Sequence, residues 1–356
     1  MSKSANATLQ DLALSLGIHK STVSRAMDPR RRHLVSADLL QRVEAAALRL
    51  GYRPNRAASA LSTGRSRTVG ILIPDITNPV FPPMVRGIED ALAEEGFFAF
   101  LANTSRAEGA ANVAVERMLA QQVEGFLVAT AVRDDDWLEG LRKTGTPLVL
   151  LNRTDGRGRL PAVLSDDMLG MQLAVQHLVS QGHRRIAHLA GPAALSTGLS
   201  RRVGFEVAMQ QAGAQVVAIA ECTAYSVAAG QAGMAQLLRA HSGDGLREAG
   251  PGFTAVVAAN DLIALGALAW LKQRRISVPE DVSLIGHNDM PLLEQIDPPL
   301  TSVRIQHYEM GFRSARLLLD TLRQVPGSQE ATILLRPQLI LRKSTAVPRD
   351  AGAPRA

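Results

Sequence analysis

The feature of this sequence that most constrains its fold is a series of short apolar runs, separated by helical stretches, that begins at Thr68. The first series is VGILIP (69–74), FFAFLA (97–102), GFLVA (125–129) and LVLL (148–151), and the second is RIAHLAG (185–191), AVVAAN (255–260) and VSLIGH (282–287). Such runs are typical of buried strands in parallel sheets. Stretches such as 84–95 and 110–121 are predicted to form helices between these runs. We therefore predict two doubly wound α/β lobes, with a ligand site at the carboxyl ends of the strands, in the cleft between the lobes.

The segment TLQDLALSLGIHKSTVSRAM (8–27) predicts two short helices with a tight turn. Thr8 and Asp11 form an acidic variant of the capping box, and Gly17 suits the left-handed end of a helix. The first helix buries Leu9, Leu12, Ala13 and Leu16. The second starts at His19, buries Val23, Ala26 and Met27, and exposes Lys20, Ser21, Ser24 and Arg25. A small cationic face with hydroxyl groups fits the major groove of DNA, although any helical hairpin can present a solvated polar face.

A third helix is predicted after the loop at 28–33. Pro29 stops the second helix, and the arginines of the loop either follow phosphates or are simply solvated. Ser36 caps the third helix and Gly51 ends it. Its predicted buried face consists of Leu39, Leu40, Val43, Ala47 and Leu50.

The charge is concentrated in this N-terminal part. Residues 1–67 hold 12 Lys and Arg against 4 Asp and Glu, a net +8, so the whole-chain value of +6 leaves −2 for the remainder. A basic head on a nearly neutral body indicates a polyanion partner for the head. A disordered basic tail is the alternative, but the regular apolar spacing argues against it.

Composition and motifs narrow the class of protein. A chain of 356 residues, 46% of them apolar, suits two or three domains with sizeable cores. No apolar signal segment opens the chain and no stretch is long enough to cross a membrane, so we expect a soluble cytoplasmic protein without a membrane partner. The single cysteine, Cys222, excludes an intrachain disulfide and a cysteine-based zinc site. Without a nucleophile elbow, a phosphate loop or a metal-spaced histidine cluster, we expect no catalytic site, cofactor or metal.

STVSR (21–25), followed by a third helix and then GYRPNRAASAL (51–61), resembles the N-terminus of the LacI/GalR family of bacterial repressors, and the resemblance continues along nearly the whole chain. It implies a three-helix helix-turn-helix headpiece and a two-lobed body like a periplasmic binding protein. The expected limits are a headpiece at 1–54, a hinge helix and linker at 55–67, a body at 68–345 and a flexible tail at 346–356. Three crossover strands join the lobes in this family, so we expect the chain near Ser302–Arg304 to return to the first lobe.

In this family the hinge helix orders on DNA, pairs with its copy in the minor groove, and inserts a leucine that bends the duplex. Leu61 matches that leucine, although a plain linker with a passenger leucine is the alternative. The residues predicted to bind DNA are Thr8, Leu9, Lys20, Ser21, Thr22, Ser24, Arg25, Asn55, Arg56, Ala58 and Leu61.

The resemblance also implies a small-molecule effector in the cleft. Its predicted contacts are Phe81, Asn152, Asp166, Thr197, Arg201, Tyr225, Asn260, Asp261, His287 and Asn288. Other roles are open for several of them: Phe81 could be plain core, Asn260 a helix N-cap, and Arg201 an ion-pair partner of Asp166 or Asp261. For each single residue, the other role is about as plausible as ligand contact. Their joint position at the strand ends of a cleft favours a binding site.

Sugar-binding members commonly carry aspartates at the positions of Asn152 and Asn288. Amides beside Arg201 make the cleft more favourable to a carboxylate, so a sugar acid or other small organic acid is weighed nearly evenly against a neutral sugar.

The predicted function is that of an effector-controlled transcriptional repressor that binds a pseudo-palindromic DNA operator as a homodimer. The tail offers no heptads for a tetramerising coiled coil. A solute-binding protein of a transporter and an enzyme on the same α/β framework are the alternatives.

Overall fold

The computed structural model of this chain describes residues 7–28, 31–52, 65–104, 109–134, 136–241 and 252–349. The chain divides into two compact units, Met1–Arg67 and Thr68–Ala356. None of the helices in the described ranges is long and apolar enough to cross a membrane.

In the part of the first unit that the structure describes, three helices surround a small core. They are α1 (Leu9–Leu16), α2 (Lys20–Met27) and α3 (Ala37–Leu50), with a short 3₁₀ turn at Arg32–Leu34 between the last two. Gly17 and Gly51 end α1 and α3 in the left-handed conformation, as predicted. The core is built from Leu12, Ala13, Val23, Ala26, Val43 and Ala47. Leu50 was predicted on this buried face, but its side chain is 38% exposed, and Ala46 is buried instead.

The second unit is built on two six-stranded sheets. The first sheet contains β1 (Thr68–Ile73), β2 (Phe98–Asn103), β3 (Gly125–Val128), β4 (Leu148–Leu151), β5 (Ala162–Ser165) and β11 (Thr332–Leu335). The second contains β6 (Arg185–Ala190), β7 (Gln215–Glu221), β8 (Ala255–Ala258), β9 (Ser283–Asn288), β10 (Thr301–Arg304) and β12 (Gln338–Ile340). The helices of this unit are α4 (Phe81–Glu94), α5 (Ala110–Ala120), α6 (Asp136–Lys143), α7 (Asp167–Ser180), α8 (Ser196–Gln211), α9 (Val227–His241), α10 (Asp261–Gln273) and α11 (His307–Leu322).

The strand orders are those of doubly wound sheets. They run β11-β5-β4-β3-β1-β2 and β12-β10-β9-β8-β6-β7, and every pairing is parallel except β10 with β12. The two predicted α/β lobes are therefore confirmed, and all seven predicted apolar runs form strands. The strands β5, β7, β10, β11 and β12 were not among the predicted runs.

The chain passes between the two sheets three times. It leaves the first sheet after β5, returns to the first lobe after β10, and crosses again between β11 and β12. The return after Arg304 is where it was predicted: α11 follows at once and packs against α4 of the first lobe. These crossings bring the carboxyl ends of both sheets to one cleft.

Two predictions about the body need correction. The run at 97–102 was interpreted as a buried strand, but β2 lies at the edge of its sheet and exposes Phe98, Phe100 and Leu101 by 43–49%. The tail was expected to be frayed from 346, yet Ala346 is held in place: its amide donates to Ser283 Oγ and its carbonyl bonds to His183 Nε2. The ordered body therefore continues past the predicted limit at 345.

Candidate functional site

The outer face of α2 carries the polar residues that the sequence placed there. Lys20, Ser21, Ser24 and Arg25 are exposed, while Val23 and Ala26 on the other side are buried. His19 caps the helix, since its Nδ1 accepts the Ser21 amide at 3.2 Å. In the described part of the chain no carboxylate pairs with Lys20 or Arg25, so both charges are available to an anion. Thr22 is half-buried at the edge of this face.

The side chains of the two N-terminal candidates are used inside the headpiece. Thr8 and Asp11 form the predicted capping box: the Asp11 amide donates to Thr8 Oγ1 at 3.2 Å, and the Thr8 amide donates to Asp11 Oδ2 at 2.8 Å. Leu9 packs against the headpiece core. The capping box uses the amides of Thr8 and Asp11, so the Leu9 amide is the group of these two candidates that can face a phosphate.

The remaining predicted DNA contacts cannot be placed. Asn55, Arg56, Ala58 and Leu61 lie outside the described residues. In the loop before α3, Arg31 lies 3.7 Å from Asp28 in an exposed ion pair. A pair of this kind contributes little to stability and does not hold the arginine away from solvent.

The cleft of the body contains a polar inner cavity at the carboxyl ends of the strands. It is lined by Asn78, Val80, Phe81, Asn152, Arg153, Thr197, Arg201, Tyr225, Asn260 and Asn288. Seven of the ten predicted effector contacts belong to this set. Asn152 follows β4, Asn260 follows β8 and Asn288 ends β9, while Thr197 and Arg201 lie in the first turns of α8.

The inner cavity opens into a wider mouth. Four residues line both spaces: Asn78, Phe81, Arg153 and Tyr225. The mouth also includes loop residues such as Pro74, Pro192 and Thr223. The inner cavity has a volume of about 20 Å³ and the mouth about 620 Å³. The first has room for about one water molecule. A molecule of sugar size must therefore occupy the mouth or move the inner walls apart.

Asn152 and Asn288 have φ values of +64° and +113°. This left-handed region is costly for most residues, and Asn and Asp tolerate it best. Backbone conformation thus favours one of these two residue types at both positions, but it does not choose the amide over the carboxylate. The Oδ1 of Asn288 is buried without a hydrogen-bond partner in the described chain, so it is free to accept from a bound molecule.

The hydroxyl of Tyr225 donates to Thr197 Oγ1 at 3.0 Å and holds the ring on the cavity wall. A Cβ on Gly191 would lie 2.5 Å from the Tyr225 oxygen, so the ring position requires glycine there. Asn260 is the N-cap of α10, as the alternative interpretation held, because its Oδ1 accepts the Ile263 amide at 2.9 Å. It also lines the cavity, so the two roles are compatible.

Arg201 is bound to a carboxylate that was not predicted. Its Nε donates to Asp167 Oδ1 at 2.9 Å and its Nη1 donates to the Ala259 carbonyl at 2.7 Å. The prediction that Arg201 pairs with Asp166 or Asp261 is therefore wrong. Burial works to raise the pKa of Asp167, but the Arg201 charge, the His287 contact and the Arg201 hydrogen bond together hold that pKa below its ordinary value. The pair is an ionised one with both members buried.

Asp166, Asp261 and His287 do not line the cavity. Asp166 caps α7 by accepting the Leu169 amide at 3.0 Å. Asp261 accepts the Met290 amide at 2.9 Å and the Ser302 hydroxyl at 2.5 Å. Both side chains are therefore engaged in bonds within the framework.

The His287 Nε2 lies 3.4 Å from Asp167 Oδ1. Burial lowers the pKa of His287 to about 4, so the ring is neutral near pH 7 and this contact is not an ion pair. The ring therefore packs against the Arg201–Asp167 pair and adds no charge to it.

Asn78, Val80 and Arg153 line the cavity without having been predicted. Arg153 was within reach of sequence reasoning, since it follows Asn152 directly at the end of β4. Asn78 belongs to DITNPVF (75–81), the segment from which only Phe81 was taken.

Comparison with known proteins finds matches to two parts of the chain. Residues 8–55 match the model of bacterial regulatory proteins of the lacI family, and residues 175–345 match the periplasmic binding protein-like domain. The ribose operon repressor of Bacillus subtilis is 32% identical over 340 residues, covering 95% of this chain and 98% of that protein. The transcriptional repressor CytR of Escherichia coli K12 is 32% identical over 345 residues, covering 95% and 96%.

Solved structures agree with these relatives. A lac repressor dimer bound to operator and the anti-inducer ONPF is similar with a TM-score of 0.83 at 28% identity, over 96% of this chain and all of that one. The regulator CelR in complex with cellobiose is similar with a TM-score of 0.70 at 30% identity, over 95% of this chain and all of that one.

Proposed function

The chain belongs to the lacI family of bacterial regulatory proteins, and we propose that it is a repressor whose affinity for operator DNA is set by a small molecule bound in the cleft described above. The predicted family and function are confirmed by its relatives, which are named transcriptional repressors over nearly the full length of the chain. The observation that carries the proposal is that one chain has both a cationic α2 face, with no carboxylate partner among the described residues, and a polar cavity at the carboxyl ends of two sheets.

The DNA-binding half of the proposal rests on α2. In a homodimer, two copies of this helix enter the major groove at two half-sites of a pseudo-palindrome, with Lys20, Ser21, Ser24 and Arg25 toward the bases and phosphates. We propose that Asn55, Arg56, Ala58 and Leu61 form the hinge that contacts the minor groove between the half-sites. Leu9 contributes through its backbone amide at the start of α1, and Thr8 contributes through the capping box that holds this end of the helix.

The regulatory half rests on the cleft. Effector binding at the junction of the lobes changes their relative rotation and, with it, the spacing of the two hinges on DNA. We assign direct contact to the seven predicted residues that line the cavity. Asp166, Asp261 and His287 support the wall from behind.

The family consists of transcriptional regulators, and we propose that this chain has no catalytic activity and works in the bacterial cytoplasm. We also propose the limits of the parts as 1–54 for the headpiece, 55–67 for the hinge and linker, and 68 onward for the body. A solute-binding protein is disfavoured by the lacI-type match at 8–55.

The DNA-binding proposal is tested by selecting operators from a pool of randomised duplexes with the purified protein, followed by gel-shift titration at fixed salt. We expect a pseudo-palindrome to be enriched. Arg25→Ala is expected to weaken binding to it by about tenfold or more, the discrimination of one bidentate arginine–guanine contact. Arg49→Ala, which removes an exposed arginine from α3, is the matched control and is expected to have a smaller effect. No enrichment, or equal losses in both variants, would contradict the assignment of α2.

A further inference from the structure

The cavity holds two guanidinium groups in very different surroundings. Arg201 is neutralised by Asp167 and hydrogen-bonded to the Ala259 carbonyl. The side chain of Arg153, on the opposite lobe after β4, makes no hydrogen bond or ion pair within the described ranges of the chain, and its Nε is buried without an acceptor. Arg153 lines both the inner cavity and the mouth.

No carboxylate of the cavity wall compensates the charge of Arg153. The polar groups that line the inner cavity are amides, the hydroxyls of Thr197 and Tyr225, and the two arginines. The mouth adds Asp75, whose Oδ1 accepts the amide and hydroxyl of Thr77 at 3.0 and 2.8 Å. Burial and the nearby charge of Arg201 both lower the pKa of Arg153, which is the direction expected for a cation without a counter-charge.

A buried cation without a partner is unfavourable, and a bound anion relieves that cost. The hydroxyl of a neutral sugar supplies an acceptor oxygen but no charge. A carboxylate supplies both and matches the planar fork of a guanidinium with two parallel hydrogen bonds. Arg153 carries one uncompensated positive charge, which a ligand with one negative charge neutralises. This favours a carboxylate over a phosphate dianion.

A second buried atom without a partner indicates the chemistry of the rest of the ligand. The Oδ1 of Asn288, on the other lobe, is buried without a donor, and Asn78, Asn152 and Asn260 line the space around it. These groups match the hydroxyls of a polyol chain.

From these contacts we propose that the effector is a hydroxylated monocarboxylate, of the aldonic acid type, whose carboxylate is held by Arg153. Arg201 is a fixed part of the wall, because Asp167 already neutralises it. The inference rests on the proposed effector site and specifies the chemical class of its ligand.

The test is calorimetric titration of the purified full-length protein with matched pairs: gluconate and glucose, galactonate and galactose, ribonate and ribose. At least one acid is expected to bind about tenfold or more tightly than its parent sugar, the range of a hydrogen bond to a charged group. In Arg153→Gln the acid and the sugar are expected to bind equally, and Arg153→Lys is expected to restore part of the preference. Arg202→Gln removes the same charge from the outer face of α8, where Arg202 pairs with Glu206, and is expected to leave the preference unchanged.

The unfolding temperature of each variant is measured as a control for loss of folding. Arg153→Gln is expected to be at least as stable as the wild type without ligand, since it removes an unpaired buried charge. Neutral sugars that bind as well as their acids, a preference that survives in Arg153→Gln, or no binding by any aldonate would overturn the inference. Tighter binding of a sugar phosphate such as glucose 6-phosphate would overturn the choice of a carboxylate. Operator selection with the wild-type protein tests the proposed repressor function and does not depend on these titrations. A wrong ligand class can therefore be distinguished from a wrong function.

Discussion

At the scale of single residues, Asp261 is a buried carboxyl group whose protonation is tied to the fold. Burial raises its pKa from the ordinary 3.8 to about 7, although the Ser302 hydroxyl and the Met290 amide both act to lower it. The folded state therefore holds this proton at pH values where the unfolded chain has lost it. The stability that results is present below about pH 4 and is lost as the pH rises through about 7.

The Asp261→Asn variant is expected to remove this dependence. The difference in unfolding free energy between variant and wild type is expected to shift in favour of the variant as the pH is raised from about 5 to 8, because asparagine stays neutral. Thermal or urea unfolding across that range measures the difference. A constant difference would show that Asp261 keeps one charge state throughout.

Comparison with the wild type is needed because buried histidines have the opposite effect. Burial lowers the pKa of His188, His287 and His307 to about 4 in each case. Each contributes stability that is present above its unfolded pKa, near 6.5, and is lost as the pH falls toward about 4. These contributions cancel in the difference between Asp261→Asn and the wild type.

At the scale of elements, the contact of α4 with α11 depends on two glycines. A Cβ added to Gly87 would overlap the carbonyl oxygen of Tyr308, and one added to Gly311 would overlap that of Met84. The obstacles are backbone atoms, which cannot turn aside as a side chain can. The close approach of these helices therefore fixes both positions as glycine.

Gly311→Ala is expected to lower the free energy of unfolding by about 1–3 kcal/mol, the usual cost of overpacking. Its matched control is Gly140→Ala in α6, where an added Cβ meets no atom within 4 Å. That variant is expected to gain about 0.5–1 kcal/mol from better helix propensity. Urea unfolding measures both, and equal effects would contradict the close crossing.

The hinge is the other element with a direct prediction. Leu61→Ala is expected to abolish the bending of operator DNA and to reduce specificity, while non-specific, salt-dependent binding persists because phosphate contacts are kept. Fluorescence transfer between labelled DNA ends measures the bend. Unchanged bending would identify Leu61 as an ordinary linker residue.

At the scale of the whole molecule, a symmetric operator requires a two-fold protein. The edge strand β2 exposes Phe98, Phe100 and Leu101, and apolar side chains exposed in a row on a sheet edge are a common place of association. We expect the two copies to meet along this edge.

Sedimentation of the wild type is expected to give a dimer, and the double variant Phe98→Lys, Phe100→Lys is expected to shift it toward monomer, because lysines on an edge oppose pairing. Val325→Lys, at another exposed apolar position, is the control and is expected to stay dimeric. A stable wild-type tetramer would contradict the prediction, and an unaffected double variant would place the interface elsewhere.

Local patterns in the sequence predicted the elements of this protein well. The helices of the headpiece follow from apolar spacing and caps, because a helix turn is fixed by residues three and four apart, as in the box of Thr8 and Asp11. Seven of the strands follow from apolar runs, because residues in a buried parallel strand face apolar layers on both sides of the sheet. Leu50 and β2 show the limit: each has the right local pattern, but exposure depends on what packs against it.

The partners of the charged groups in the cleft were decided only by the tertiary structure. Asp166 and Asp167 are neighbours of equal chemistry, yet one caps α7 and the other binds Arg201 from α8. Arg153 follows a strand of one sheet, and Arg201 lies on a helix beside the other sheet. Only the folding of both lobes pairs Arg201 with Asp167 and leaves the Arg153 side chain without a partner among the described residues. Side-chain direction across distant segments determines such pairing, and no periodicity along the chain encodes it.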